Sequence, residues 1–306
     1  MSNPLTVKVF GVGGGGGHTI EELSRLGADG LDVYAVNTDA RVLLDTKTDK
    51  KILIGKELTG GTSTGSDSIM GDRCARYDMG KIAEAADDAD IVFITCGLGG
   101  GTGSGASPVI AERAKTIGAL TVAIVTLPFE SEGRKALKNA DTGLKTLKRT
   151  ADAVIVIPNE NLLENAQELP ITEAFKLADS TVANIIKELS HLTAVGDVND
   201  LSFADLRSIL SEGRTTYVGV GVSEDFEESA DEALSSRIIA ADPNTCCGAL
   251  AYFTFAEEED AEKVEDALER ISRRLPEDVG IIWGARRDET LPEKTCKTLL
   301  VLCQED

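Results

Sequence analysis

Two glycine-rich segments, each placed directly after a run of apolar, β-favouring residues, constrain the fold of this chain more than any other feature. The first, Gly11–Gly17, reads GVGGGGG and follows the run Leu5–Phe10. The second, Gly97–Gly105, reads GLGGGTGSG and follows the run Asp90–Cys96. Helical patterns come next in both cases, over residues 18–23 and 106–117. Each segment therefore has the order strand, glycine loop, helix.

Short apolar runs alternate with helical stretches through the first half of the chain. The further runs are Leu31–Val36, Thr121–Thr126 and Ala153–Ile157. The run Asp90–Cys96 is apolar almost throughout, as expected of a parallel strand that is covered on both faces. The alternation predicts an α/β fold with a doubly wound parallel sheet, in which ligands bind at the carboxyl ends of the strands.

The pattern changes after Pro170. A long central helix is predicted there from an apolar stripe, formed by Phe175, Ala178, Val182, Ile185, Ile186 and Leu189. A loop is predicted over 193–202 and a second helix over 203–211. A strand-rich section begins at residue 216. It contains an acidic helix over 257–275 and strands near 280–283 and 298–303. We expect a nucleotide-binding domain over 1–170, a central segment over 171–212 and an α+β domain over 213–306.

Composition excludes several classes of function. The net charge of −21, from 52 acidic and 31 basic residues, argues against binding to nucleic acid or to an anionic membrane surface. No run of 18 apolar residues and no secretory signal pattern is present, so we expect no direct membrane insertion and a cytoplasmic location. The six cysteines form no CxxC pair, and we expect them to be reduced and buried.

A glycine loop between a strand and a helix suits phosphate binding. Its backbone N–H groups can approach phosphate oxygens closely, and the helix N-terminus adds about half a positive charge. A single loop of this kind can also be a tight turn that binds no ligand. Two such loops in one sheet favour phosphate binding over that alternative. Neither is a Walker A loop, and His18 stands where a dinucleotide-binding motif has its last small residue.

The motif GGGTGSG at Gly99–Gly105 resembles the signature loop of the tubulin/FtsZ superfamily, and within it that of the prokaryotic FtsZ branch. The resemblance extends, in the family's order, through GVGGGGG (11–17), AVNTDA (35–40), ASPVIAE (106–112), TLPFESEG (126–133), IPNENLL (157–163), AFKLAD (174–179), SFADLR (202–207) and IIWGARRDE (281–289). The segment over 60–71 corresponds to the part of the family that senses the γ-phosphate, but it matches poorly.

The resemblance implies a GTPase domain, a central helix and head-to-tail protofilaments with GTP between subunits. GTP or GDP and Mg²⁺ are the implied cofactors, and another copy of the chain is the implied partner. Glu132 would contact the ribose, while Phe175 and Asp179 would contact guanine. The other implied nucleotide-binding residues are Gly14, Gly15, Gly16, Gly17, His18, Gly99, Gly100, Gly101, Thr102, Gly103, Ser104, Gly105 and Asn159.

The spacing of Phe175 and Asp179 supports the guanine assignment independently. The two residues are four apart, so they share one face of the central helix. A ring can stack on a purine while a carboxylate accepts hydrogen bonds from N1–H and N2–H₂, which adenine does not present. The alternatives are core packing for Phe175 and a solvated helix face for Asp179.

Hydrolysis in this family is completed by acidic residues of a neighbouring subunit, in the loop after the central helix. The candidates here are Asp205 and Asp200, because Ser202 replaces the first aspartate of the family pattern and Asn199 suggests a shifted loop. A hydroxyl polarises water less well than a carboxylate, so turnover is slow unless Asp200 substitutes. Ala136 stands where the family has an arginine that reaches the nucleotide.

Two functions from different classes remain open. The first is a GTPase that polymerises and hydrolyses GTP between subunits, in cell division. The second is a GTP- or GDP-binding filament or scaffold protein with little hydrolysis, acting in shape control or another role; a nicotinamide-dependent dehydrogenase is a remote third. Three residues follow the last predicted strand, so we expect any membrane adaptor or division protein to bind the globular surface.

Overall fold

The computed structural model describes residues 5–28, 30–164, 170–192, 199, 201–212, 215–236, 243–257 and 263–304 of the 306-residue chain. The chain packs into two compact units, Met1–Lys187 and Glu188–Asp306. The division into domains over 1–170, 171–212 and 213–306 stays a prediction.

The first unit is built on a parallel sheet. Its strands are β1 (Val7–Val12), β2 (Leu31–Asn37), β3 (Lys50–Leu53), β4 (Ile91–Gly97), β5 (Leu120–Leu127) and β6 (Ala153–Pro158). They lie in the order β3-β2-β1-β4-β5-β6, and every pair is parallel. The doubly wound α/β fold is thus confirmed. The order reverses between β1 and β4, which makes the carboxyl ends of these two strands the switch point where such folds bind ligands.

Helices of the first unit connect these strands. They are α1 (Gly13–Leu26), α2 (Ala40–Asp45), α3 (Lys56–Thr59), α4 (Ser68–Tyr77), α5 (Met79–Ala86), α6 (Gly101–Thr116), α7 (Arg134–Thr150), α8 (Asn159–Glu164) and the central helix α9 (Ile171–His191), which reaches into the second unit. The core covers both faces of the sheet, since neighbouring residues of β4 such as Val92 and Phe93 are both buried.

The predicted glycine loops are wrong in one respect: most of their glycines are helical. α1 begins at Gly13 and α6 at Gly101, each about five residues before the predicted start. Glycine is a poor helix former, but close packing overrides that preference here. A Cβ on Gly16 would lie 2.4 Å from the carbonyl oxygen of Thr95, and one on Gly103 would lie 2.7 Å from that of Gly97. Only glycine lets these helix turns approach β4 so closely.

The central helix has the predicted place, but Phe175 does not belong to its buried stripe. Phe175 is 39% exposed, whereas Ala174, Ala178 and Val182 are buried. Core packing is therefore the wrong alternative for Phe175. A solvated face is equally wrong for Asp179, whose side chain is 18% exposed.

The second unit is α+β, as the strand-rich section predicts. Its elements are α10 (Phe203–Glu212), β7 (Thr215–Ser223), α11 (Phe226–Leu234), β8 (Cys246–Phe255), α12 (Val264–Ser272), β9 (Ile281–Arg287) and β10 (Cys296–Gln304). β10 lies antiparallel between β7 and β8, and β9 runs parallel to β8. The predicted acidic helix is shorter than expected, and residues 258–262 of it lie outside the described residues.

All six cysteines lie in the described part of the chain and are free thiols. Five are buried as expected, and Cys247 is half-buried. Within the same part of the chain, no helix is both long enough and apolar enough to cross a membrane.

Candidate functional site

A cavity of about 1250 Å³ opens at the switch point of the first unit. It lies where β1 and β4 end, because Gly13–Gly15 at the start of α1 and Gly100–Gly103 at the start of α6 both line it. One face of α9, including Phe175 and Asp179, lines it as well. This volume exceeds the range of about 300–1,000 Å³ that is usual for small-molecule sites, so the cavity has room for a nucleotide.

Two helix N-termini face this cavity without side-chain caps from the described residues. α1 begins at Gly13, whose φ of +75° suits glycine, and α6 begins after Gly100. The first N–H groups of a helix have no partner within the helix, and its dipole places partial positive charge there. The arrangement can therefore bind an anion through the backbone.

An aromatic ring and a carboxylate lie on the α9 side of the cavity. The Phe175 ring meets the Phe129 ring edge-on, with centroids 5.1 Å apart and an interplanar angle of 76°. This contact fixes a ring that is otherwise partly exposed. One turn further along, Asp179 Oδ1 accepts a hydrogen bond from Thr19 Oγ1 at 3.2 Å, and Oδ2 lies 4.0 Å from His18 Nδ1. Residues of α1 thus contact the carboxylate of Asp179, with a hydrogen bond to Oδ1 and with His18 near Oδ2.

Burial raises the pKa of Asp179 to about 6. The nearby His18 and the hydrogen bond from Thr19 lower that pKa, whereas Glu21 and Glu22 raise it further. Loss of hydration is the largest cause, because it disfavours the charged form. A partly desolvated carboxylate of this kind gains most from a ligand that donates hydrogen bonds to it.

Asn159 and Glu132 complete the predicted contacts on the cavity wall. Asn159 is 3% exposed, and its Oδ1 has no hydrogen-bond partner among the described residues. An unsatisfied buried amide oxygen is costly, so it points to a missing donor. Glu132 Oε1 accepts a hydrogen bond from the Phe129 backbone N–H at 2.9 Å, which orients that carboxylate.

Several predicted residues stand behind the cavity rather than on its wall. These are Gly16, Gly17, Gly99, Ser104 and Gly105. Ser104 Oγ accepts a hydrogen bond from the Gly99 N–H at 2.8 Å, and a Cβ on Gly105 would lie 2.1 Å from the Ser68 carbonyl oxygen. The structure thus gives them packing roles, and their contact with a nucleotide stays a prediction.

The sequence interpretation missed part of the wall. Asn37 and Asp39 line the cavity beyond the end of β2, and Ser63–Ser66 line it beside the start of α6. The motif AVNTDA contains the first two, and the rule that ligands bind beyond the carboxyl ends of strands could have assigned them. Residues 63–66 belong to the segment over 60–71, which the resemblance assigns to γ-phosphate sensing although it matches poorly, and their packing on α6 brings them to the cavity.

The charged residues of the wall are mostly acidic. The acidic ones are Glu21, Glu22, Asp39, Glu132, Glu173 and Asp179. Arg25 and Lys176 are the fixed cations of this lining, and Arg25 is paired with Glu22 at 2.6 Å. A bound phosphate chain would therefore depend on backbone N–H groups and on an added cation more than on basic side chains.

The hydrolytic candidates belong to the second unit. Asp205 and Ser202 form a reciprocal cap at the start of α10: Asp205 Oδ2 accepts from Ser202 N at 3.0 Å and Oγ at 2.6 Å, and Asp205 N donates to Ser202 Oγ at 3.1 Å. These bonds from Ser202 lower the pKa of Asp205. Asn199 pairs with Ala285 of β9 through two backbone hydrogen bonds. Asp200 lies outside the described residues.

Comparison with known proteins identifies the family of this chain. Residues 6–167 match the family described as "Tubulin/FtsZ family, GTPase domain". The chain is 42% identical to "Cell division protein FtsZ 1" of Methanocaldococcus jannaschii over 299 residues, which cover 97% of this chain and 82% of that protein. It is also 42% identical to the protein of that name from Pyrococcus abyssi, covering 97% and 80%.

A solved structure shows the same fold. The "FtsZ dimer, empty" of M. jannaschii superposes with a TM-score of 0.90 at 42% identity, covering 97% of this chain and 88% of that one. The sequence identity, the coverage and the shared fold lead to one conclusion. The chain belongs to the tubulin/FtsZ family and carries that family's GTPase domain.

Proposed function

We propose that this protein is an FtsZ-like GTPase of the cytoplasm, which polymerises head to tail in cell division and hydrolyses GTP between subunits. One observation carries the proposal. The uncapped N-termini of α1 and α6 open on a single cavity, whose α9 side carries the ring of Phe175 and the partly buried carboxylate of Asp179.

The backbone of the two glycine-built helix turns would bind the phosphates. A side chain on Gly15 would approach the Gly97 backbone N at 3.0 Å, so the turn tolerates little besides glycine. Glycine leaves the N–H groups open to a ligand that lies close to the backbone. Thr102 lies on the same wall, where its hydroxyl is hydrogen-bonded to that of Thr38 at 2.9 Å.

The α9 side would select guanine. Asp179 accepts hydrogen bonds, as the N1–H and N2–H₂ edge of guanine requires, and adenine offers no such pair of donors. The unsatisfied Oδ1 of Asn159 supplies a further acceptor on the wall. Phe175 presents an exposed ring on the same helix face for stacking.

Mg²⁺ fits a wall that is rich in carboxylates and poor in cations. No cluster of three metal-ligating side chains occurs among the described residues, so phosphate oxygens and water would supply most of its ligands. When bound, the ion would neutralise charge on the phosphates.

Asp205 is our candidate for orienting the attacking water in the cavity of the next subunit. Its lowered pKa keeps it ionised near neutral pH, and the hydrogen bonds from Ser202 engage Oδ2 alone. Oδ1 can then accept a hydrogen bond from the attacking water and orient it. Phosphoryl transfer depends chiefly on such positioning and on charge stabilisation.

A filament or scaffold protein with little hydrolysis is the second candidate. Ser202 favours this candidate, because it stands where the family pattern has an aspartate. Its side chain caps the helix and donates a hydrogen bond to one oxygen of Asp205. A protein of this kind would bind GTP and polymerise without appreciable turnover.

Phosphate release from GTP, measured beside sedimentation of polymer, separates the two candidates. Wild type is compared with Asp205→Ala, Ser202→Asp and Ser202→Ala, the last of which breaks the same cap without removing the carboxylate. We expect GTP-dependent polymer, and hydrolysis that Asp205→Ala abolishes and Ser202→Ala retains. Polymer whose phosphate release equals that of Asp205→Ala favours the scaffold, and absence of GTP binding refutes both.

A further inference from the structure

Asn139 on α7 joins two separate parts of the cavity wall. Its Nδ2 donates hydrogen bonds to the carbonyl oxygens of Ser66 and Gly99, each at 3.0 Å. Its Oδ1 lies 3.4 Å from Ser68 Oγ, which donates to it. One carboxamide thus spans the segment before α4 and the glycine segment before α6.

The segment that Asn139 holds lies directly on the first turn of α6. A Cβ on Gly101 would lie 2.1 Å from Thr64 Oγ1 and 2.6 Å from the Asp67 backbone N. Thr64 and Ser66 line the cavity together with Gly101. The distance between this segment and α6 therefore sets the width of the cavity where the helix N-terminus faces it.

The held segment has a backbone conformation that needs support. Gly65 and Ser66 both have φ of 61°, in the left-handed region that costs a residue with a side chain about 1 kcal/mol or more. The side chains that bond to these two carbonyl groups come from one face of α7: Lys135 Nζ donates to Gly65 O at 3.1 Å, and Asn139 donates to Ser66 O. Residues four apart share a helix face, so α7 holds both carbonyls at once.

We propose that Asn139 is a positioning residue for the phosphate end of the cavity. It fixes the wall formed by Thr64, Gly65 and Ser66 against the start of α6, so that a phosphate chain meets both. The proposal rests on the proposed function, since it assumes a nucleoside polyphosphate in this cavity. It assigns Asn139 no contact with the base, which lies with Phe175 and Asp179 on the α9 side.

Two substitutions remove the donors of Asn139 in different ways. Asn139→Leu is neutral, similar in size and favourable in a helix, whereas Asn139→Asp keeps the shape and adds a negative charge. Asn184→Asp is the matched control: Asn184 is exposed on α9, donates to the Ser180 carbonyl of its own helix and does not line the cavity.

Affinities for GTP, GDP, GMP and ITP are measured by calorimetry with Mg²⁺, and thermal melting of the nucleotide-free proteins checks the fold. We expect both Asn139 variants to weaken GTP binding about fivefold, the equivalent of one ordinary hydrogen bond. The loss is expected to shrink from GTP to GDP to GMP, while the preference for GTP over ITP stays as in wild type and in Asn184→Asp.

Unchanged affinities for GTP in the two Asn139 variants would overturn the proposal. An equal loss for all four nucleotides would overturn it too, because it would assign Asn139 a general structural role. If one Asn139 variant melts at a lower temperature than wild type, the nucleotide affinities of the other variant test the proposal. Failure of wild type to bind GTP would instead refute the proposed function, so the two failures are distinguishable.

Discussion

Asp179→Asn is predicted to stabilise the nucleotide-free protein while it removes guanine recognition. The Asp179 carboxylate is largely buried, and burial raises its pKa from the ordinary value of 3.8 to about 6. At a pH above both values, a difference of this size destabilises the folded state by roughly 3 kcal/mol. Asparagine has the same shape and no charge to desolvate, so it escapes this cost.

The sign of the pH dependence follows from the raised pKa. The folded state holds its proton more tightly than the unfolded state, so the contribution of this carboxyl to stability falls as pH rises from 3.8 to about 6 and is constant above. The advantage of Asp179→Asn is therefore greatest at pH 8 and about half as large at pH 5. The groups that face the carboxyl are His18, Thr19, Glu21 and Glu22.

Hydrogen exchange of the slowest amides in β1 and β4, followed by mass spectrometry at pH 5 to 8, measures this stability in the first unit. Tryptophan fluorescence does not serve, since Trp283 lies in β9 of the second unit. The same variant is expected to bind GTP at least tenfold more weakly, because its amide cannot accept both guanine hydrogen bonds. An Asp179→Asn protein less stable than wild type at pH 8, or with a pH-independent difference, would refute the reasoning.

Three further predictions concern the base, the glycines and the charge. Thr19→Val removes the hydroxyl that donates a hydrogen bond to Asp179 Oδ1, so the GTP-to-ITP affinity ratio should fall several-fold; an unchanged ratio contradicts this prediction. Gly16→Ala should lower the free energy of unfolding in urea by about 1–3 kcal/mol. Gly14→Ala should not lower it, because its Cβ would have no described atom within 4 Å. Equal effects of the two substitutions would contradict the packing argument. Because the net charge is −21, sedimented polymer should increase with Mg²⁺ and with added monovalent salt from low ionic strength; a steady decrease contradicts it.

Sequence patterns predict five strands of the first unit, because a strand buried on both faces leaves an almost continuous apolar run such as Ile91–Gly97. They miss the short strand Lys50–Leu53, whose first two residues are exposed lysines. They misplace the helix starts at Gly13 and Gly101, since glycine propensity argues against a helix. Contacts distant in sequence decide the matter there, as the approach of Gly16 to Thr95 shows. Local patterns cannot reveal such contacts.

Part of the candidate site is also predictable from local sequence patterns, and part depends on contacts distant in sequence. The i, i+4 spacing predicts that Phe175 and Asp179 share a helix face, and both line the cavity. The hydrogen bond from Thr19 to Asp179 joins residues 160 positions apart, and that from Asn139 to Ser66 joins residues 73 positions apart. No spacing rule predicts these pairs. The cap between Ser202 and Asp205 is local, and its S-x-x-D pattern could have been found.

The central claim is that GTP bound in the cavity of one subunit is hydrolysed with the help of acidic residues of the next. Asp179→Asn impairs the cavity but keeps the acidic loop, and the double variant Asp200→Ala/Asp205→Ala impairs the loop but keeps the cavity. Each alone is expected to release phosphate at a rate near background. An equal mixture of the two should release phosphate well above the sum of the separate rates, because intact cavities then meet intact loops. A mixture no faster than that sum would contradict hydrolysis between subunits.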